Sequence, residues 1–136
     1  MNGLDDRWLQ KLWRKACLKI FDHKCFFCGA DSRVVDIEVH HLTKRNMLLL
    51  KHDFRNGIPL CKWVHQLNED MKMSCHKFAE TPEGKRRIGE FLERRGYTKY
   101  LTERSCNSKQ WLLEHKMSRS EFLLERKLEL EKIIKE

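Results

Sequence analysis

The sequence predicts an α+β domain, and three observations carry that expectation. Charged segments at both ends repeat their apolar residues with helical spacing, the middle holds two short stretches of strand character, and nearly all cysteines and histidines fall in that middle. With 136 residues, one domain with a modest core is expected, spanning 1–136. It divides into a leading helix over 4–22, a Cys/His core over 23–82 and a helical extension over 83–136.

The leading segment places Trp8, Leu12 and Lys15 to Lys19 around a mixed helical face. "CFFCG" at 25–29 predicts a tight knuckle, because Gly29 can adopt the positive φ that closes it. "RVVDIEV" predicts a strand over about 34–39, just ahead of the adjacent pair His40 and His41. "GIPLC" predicts a second strand, which Pro59 limits to an edge position or a very short length. The connection "LTKRNMLLLKHDFR" is too long for a hairpin turn and reads as a packed or functional loop. Asn56-Gly57 has the composition of a turn, and Asp53 that of a turn or cap acceptor.

Thr81 and Pro82 predict the start of a helix in which Ile88, Phe91 and Leu92 share a face, ending at Gly96. Ser108 precedes another helical run, and Ser118 with Glu121 has capping-box spacing. The last helix carries a broad stripe of Leu123, Leu124, Leu128, Leu130, Ile133 and Ile134, which fits core packing or a partner helix, including dimerisation.

A net charge of +8 points towards a polyanionic partner, with nucleic acid first, although a basic balance also serves solubility. Lys44, Arg45, Lys51 and Arg55 are the candidate phosphate contacts, followed by Lys85, Arg86, Arg87, Arg94 and Arg95 on a helix that is equally well an ordinary solvated face. No apolar run reaches membrane-spanning length and the N-terminal stretch lacks a secretory pattern, so a cytoplasmic, reducing setting is expected. There, spaced cysteine pairs indicate metal more often than disulfide.

Cys25 and Cys28 have the spacing that lets two thiolates of one turn reach a tetrahedral ion, and Cys61 and Cys75 can complete a four-thiolate zinc site. Cys17 and Cys106 read as isolated free thiols. Cys61 and Cys75 lie 14 positions apart, about 21 Å on a straight helix, so the insert between them must loop out and return. Yet Trp63, Leu67 and Met71 give that insert helical spacing, which keeps a rival open: Cys61 and His65 on one helix face, with Cys75 left free.

The ordered elements "CFFCG", "EVHHL", "NGIPLC" and "SCHKF", over residues 25–80, resemble the HNH nuclease family. The resemblance implies a small ββα-metal core with a structural zinc on Cys25, Cys28, Cys61 and Cys75, flanked by helices. It further implies a metal-dependent endonuclease acting on DNA, with magnesium or manganese as the catalytic ion. His40 and His76 would be its ligands, His41 the general base, and Asn56 the residue bracing the loop. The 13-residue insert departs from the family pattern and leaves His65 as an alternative to His76. Phage-encoded recombination nucleases of this type are similarly small and basic, which implies a branched or single-strand-containing substrate. A zinc-stabilised DNA-binding module without cleavage is the alternative.

Adjacent strand residues face apart, so one histidine can hold an ion while its neighbour accepts the proton of an attacking water. Glu38, just ahead of the pair, either braces a histidine or is solvated.

Overall fold

The computed structural model describes residues 5–43 and 47–136. Asp5 caps the first helix by accepting from Trp8 N at 2.8 Å, and α1 runs over Asp6–Ile20. Leu9, Leu12, Trp13, Ala16 and Cys17 line its buried side, at the three- and four-residue spacing that makes one face of a helix. Asp22 and His23 then take positive φ values of 55° and 60° and turn the chain into the cysteine knuckle.

A two-stranded antiparallel sheet follows, β1 over Ile37–His41 and β2 over Gly57–Cys61, in register from Ile37 opposite Cys61 to His41 opposite Gly57. The strand begins three residues later than the β-branched run suggests. Asp31 explains the shift: its carboxylate accepts from Arg33 N at 2.8 Å, and its carbonyl accepts from Val34 and Val35 N, so a turn takes up this stretch. The histidine pair therefore lies inside β1. Pro59 is fully buried, and its carbonyl accepts from Phe26 N at 2.8 Å, which stitches the knuckle to β2.

Gly57 is an extended strand residue with φ −141°, not part of an Asn-Gly turn. Its lack of a side chain has a packing reason, since a Cβ there would sit 2.5 Å from the Trp13 ring and 2.8 Å from Cys17 Sγ. Trp13 is at the centre of the core with no exposed surface, and its burial contributes about 5 kcal/mol.

From Met47 on, the long connection is packed. It holds a short helix α2 over Leu48–Lys51, with Leu49 and Leu50 buried, and a 3-10 turn over Phe54–Asn56. Asp53 caps that turn by accepting from Arg55 N at 2.9 Å, and it also accepts from Tyr100 Oη at 2.6 Å and pairs with Arg126 at 3.1 Å. A fully buried carboxylate is thus satisfied by two cations and a phenol, two of them from distant helices.

After β2 the insert differs from its helical spacing. Only a 3-10 turn over Glu69–Met71 forms, and Trp63, Val64 and Leu67 stay exposed. The apolar residues have nothing to pack against, whereas the buried Asn68 closes the loop by accepting from His65 N at 2.7 Å and donating to Trp63 O at 3.0 Å. Helices α3 Cys75–Phe78, α4 Pro82–Arg95, α5 Tyr97–Arg104, α6 Ser108–Glu114 and α7 Arg119–Lys135 complete the chain.

Thr81 caps α4 with Pro82 in its first turn, and the Ser118–Glu121 capping box forms on α7. Asn107, rather than Ser108, caps α6, and α5 has no counterpart in the sequence reading. The stripe on α7 packs partly on α1, burying Leu123 and Leu130, while Leu124 and Leu128 remain exposed. No helix is long and apolar enough to cross a membrane among the described residues.

His52 lies at the junction of α2 and α1, 3 % exposed, with Asp6 Oδ1 3.4 Å from its Nε2. Burial pushes its pKa down to about 4, only partly opposed by Asp6. A depressed imidazole pKa disfavours the charged form in the fold, so this contribution is complete above about pH 6.5 and is lost as pH falls towards 4. Urea unfolding at pH 7 and pH 4.5 is expected to show a stability loss smaller in His52→Gln than in the parent, by up to about 3 kcal/mol. Equal losses in the two proteins would remove His52 as the cause.

Candidate metal centre and histidine cleft

Four cysteines from three parts of the chain converge. Cys25 and Cys28 come from the knuckle, where Gly29, with φ 75°, donates to Cys25 O at 3.0 Å. Cys61 ends β2, and Cys75 opens α3 directly after Ser74, which caps that helix through Lys77 N. All four Sγ atoms lie within 4.8 Å of one another, and Cys28 and Cys61 approach to 3.4 Å. A tetrahedral zinc with bonds of about 2.3 Å needs sulfurs about 3.8 Å apart, so the spacing suits a metal ion such as zinc.

Cys75 hydrogen-bonds to Cys25 and lowers its pKa to about 4, while burial raises Cys61 and the same Cys25 contact raises Cys75. A dication reverses this pattern by favouring every thiolate.

His65 lies beside the cluster but outside the four-sulfur group. Its Nδ1 accepts from Leu67 N at 3.1 Å, so in the neutral ring Nε2 carries the proton and points it at Cys61 Sγ, 3.1 Å away, with Cys28 Sγ at 3.6 Å. This geometry makes His65 a hydrogen-bond donor to sulfur, and Cys75 the fourth member of the cluster. Asn68 Nδ2 approaches Cys75 Sγ at 3.6 Å. Neither donor role is visible in the sequence, because both depend on the loop closing. Cys17 and Cys106 lie apart from the cluster; burial raises the pKa of the Cys17 thiol, with the Asp53 charge adding to it.

Beside this centre, His40, His41 and His76 line one cleft of about 480 Å³. His40 and His76 meet edge to face with ring centroids 5.0 Å apart. Burial, then His76, lowers the His40 pKa, against which Glu80 and Glu38 act. Both carboxylates are thus electrostatically coupled to His40. Glu80 stands one helical turn beyond His76, a four-residue spacing that could have singled it out in the sequence. Among the described residues, the four cysteines alone bring three or more ligand atoms this close, and His40 with His76 remains a pair.

His41 faces the other way, as alternation requires. Its ring stacks on Trp13, centroids 4.0 Å apart, and its Nε2 lies 3.0 Å from Lys51 O. A carbonyl only accepts, so the bond places the proton on Nε2 and the lone pair on Nδ1. Asn56, fully buried, accepts from Thr43 N at 2.9 Å and donates to Leu50 O at 3.0 Å, tying both ends of the connection together. Arg126 Nη2 holds Leu49 O at 3.0 Å. Three successive carbonyls, those of Leu49, Leu50 and Lys51, are therefore each bonded to a different side chain.

No family model, curated protein or solved structure matches this chain. What the site can do therefore rests on its own geometry.

The basic candidates divide. Lys51 pairs with Asp6 at 2.7 Å, while Arg55 pairs with Asp53 at 3.1 Å and lies against the Phe54 and Tyr100 rings. Lys44 and Arg45 lie outside the described residues. On α4, Arg86 bonds to Glu83 and Glu90, and Arg87 and Arg95 lie over aromatic rings.

Proposed function

We propose that this protein is a metal-dependent endonuclease of the HNH type that hydrolyses DNA phosphodiester bonds. The observation that carries the reading is the division of the adjacent histidines: His40 meets His76 across the cleft, while His41 is held by Trp13 and the Lys51 carbonyl. In this reading Cys25, Cys28, Cys61 and Cys75 hold a structural zinc that fixes β2 and α3 beside the cleft.

His40 and His76 would hold the catalytic ion through two ring nitrogens, leaving the other positions to water and substrate oxygens. Lowered basicity from burial keeps His40 neutral near pH 7, the state a ligand needs. When bound, magnesium or manganese supplies positive charge against the developing phosphate charge and the leaving 3′-oxygen. His41 acts in this reading as the general base for the attacking water, its ring held through Nε2 by Lys51 O. Asn56 and Arg126 keep that carbonyl segment in place, so the base keeps its tautomer and direction.

A second reading, a zinc-stabilised DNA-binding module that does not cleave, is favoured by the fact that, among the described residues, the four cysteines alone gather three or more ligand atoms, and the cleft histidines do not. Supercoiled plasmid separates the two. With the zinc-loaded protein, conversion to nicked or linear DNA is expected in Mg2+ or Mn2+ and not without either, with Mn2+ faster because imidazole suits transition metals better. Intact plasmid in both metals would sink the endonuclease reading.

A further inference from the structure

Resting on the endonuclease reading, the geometry points to α1 as the DNA-gripping wall of the cleft, with Arg7, Lys11 and Arg14 each taking one backbone phosphate. At 100° per residue, Arg7, Gln10, Lys11 and Arg14 fall within one narrow arc of α1. Arg7, Lys11 and Arg14 are exposed, and no carboxylate pairs with any of these three cations among the described residues. Lys51 and Arg55 contrast with them, since both charges are answered within the fold.

The track leads to the histidines. Arg14 and Gln10 line the same cleft as His40, His41 and His76. Arg14 Nη2 donates to Ile37 O at 3.1 Å, which anchors one corner of the guanidinium at the start of β1 and leaves its other N–H groups directed away from that bond. Trp13, one residue earlier on the same helix, stacks on His41, so the distance between the cation track and the base is set by rigid packing. Glu38 is the acidic residue of this cleft and lies on the His40 face of β1, where it favours a cation over a phosphate. From Arg7 to Arg14 the helix advances about 10 Å, and the long side chains extend that reach along successive phosphates of one strand.

Fluorescence anisotropy of a labelled 20-base-pair duplex tests this, using the zinc-loaded full chain carrying His41→Ala so that the duplex stays intact, over 50–250 mM KCl. Arg14→Gln and Lys11→Gln are each expected to flatten the plot of log Kd against log salt by about 0.9 and to weaken binding about fivefold at 100 mM KCl. Lys132→Gln, an exposed lysine near the end of α7 that does not line the cleft, is expected to change neither. Parent slopes in both α1 variants, or no binding of the duplex at 50 mM KCl, would overturn the assignment. If the parent cleaves plasmid while the slopes stay unchanged, the α1 assignment alone fails. If plasmid stays intact while the slopes fall, the endonuclease reading fails and the α1 track stands.

Discussion

Cys75→Ser is expected to release the metal and to lower the thermal midpoint by at least about 15 °C, the largest stability effect of any single substitution here. Structural zinc binding is worth about 10–16 kcal/mol in small metal-framed domains, comparable to the whole stability of a domain of this size. Here the cluster joins the knuckle, the end of β2 and the start of α3, and three of its four cysteines are buried in the main core. The loop over residues 62–74 contributes little else, since Trp63, Val64 and Leu67 are exposed and Asn68 is its main buried tie.

His65→Ala gives the contrast. It removes a donor to Cys61 and Cys28 and no sulfur, so one zinc per chain is expected to remain, with affinity about 10- to 100-fold weaker. Zinc content by mass spectrometry under native conditions, with melting followed by circular dichroism, reads both outcomes. Full zinc in Cys75→Ser together with loss in His65→Ala would reverse the ligand assignment.

Under the proposed endonuclease reading, the second large effect is on cleavage. His41→Ala is expected to slow plasmid cleavage by about 10²- to 10⁴-fold, the usual contribution of a positioned general base, with zinc content unchanged. The ring also stacks on Trp13, so a stability loss of about 1–2 kcal/mol accompanies the change and rates belong well below the melting temperature. His40→Ala acts differently, because it removes a nitrogen from the proposed ion site. Raising Mn2+ should recover part of its activity and none of that lost in His41→Ala. Recovery of His41→Ala by metal would refute its role as base, and parent-like cleavage in it would do so directly.

The identity and order of the chemical groups were legible in the sequence. "CFFCG" carried its own turn through Gly29, and the spacing of Cys25 and Cys28 marked a metal-binding pair that Cys61 and Cys75 could complete. Adjacent histidines on a strand had to diverge because side chains alternate, and they do. Local capping was readable for the same reason: Thr81, Pro82 and the Ser118–Glu121 box act on backbone groups within three residues.

Readings that depended on distant partners failed or stayed open. The insert shows helical spacing, but an apolar stripe makes a helix only when something covers it, and the closing hydrogen bonds of Asn68 won instead. Asn-Gly at 56–57 suggested a turn, whereas Gly57 is extended because Trp13, 44 residues earlier, needs its empty side. The ion pair of Lys51 with Asp6, 45 residues earlier, was likewise not readable from the sequence.

By itself, then, the sequence determined which residues can bind metal or move a proton and which short turns they sit on, since those properties belong to side chains and their near neighbours. Only the tertiary structure grouped Cys75, and not His65, with the other three cysteines, and paired His40 with His76. It also assigned the Nε2 proton of His41 through the Lys51 carbonyl and brought Arg14 of α1 to the cleft. Each of these is a distance of a few ångströms between residues at least ten positions apart, and no local propensity encodes it.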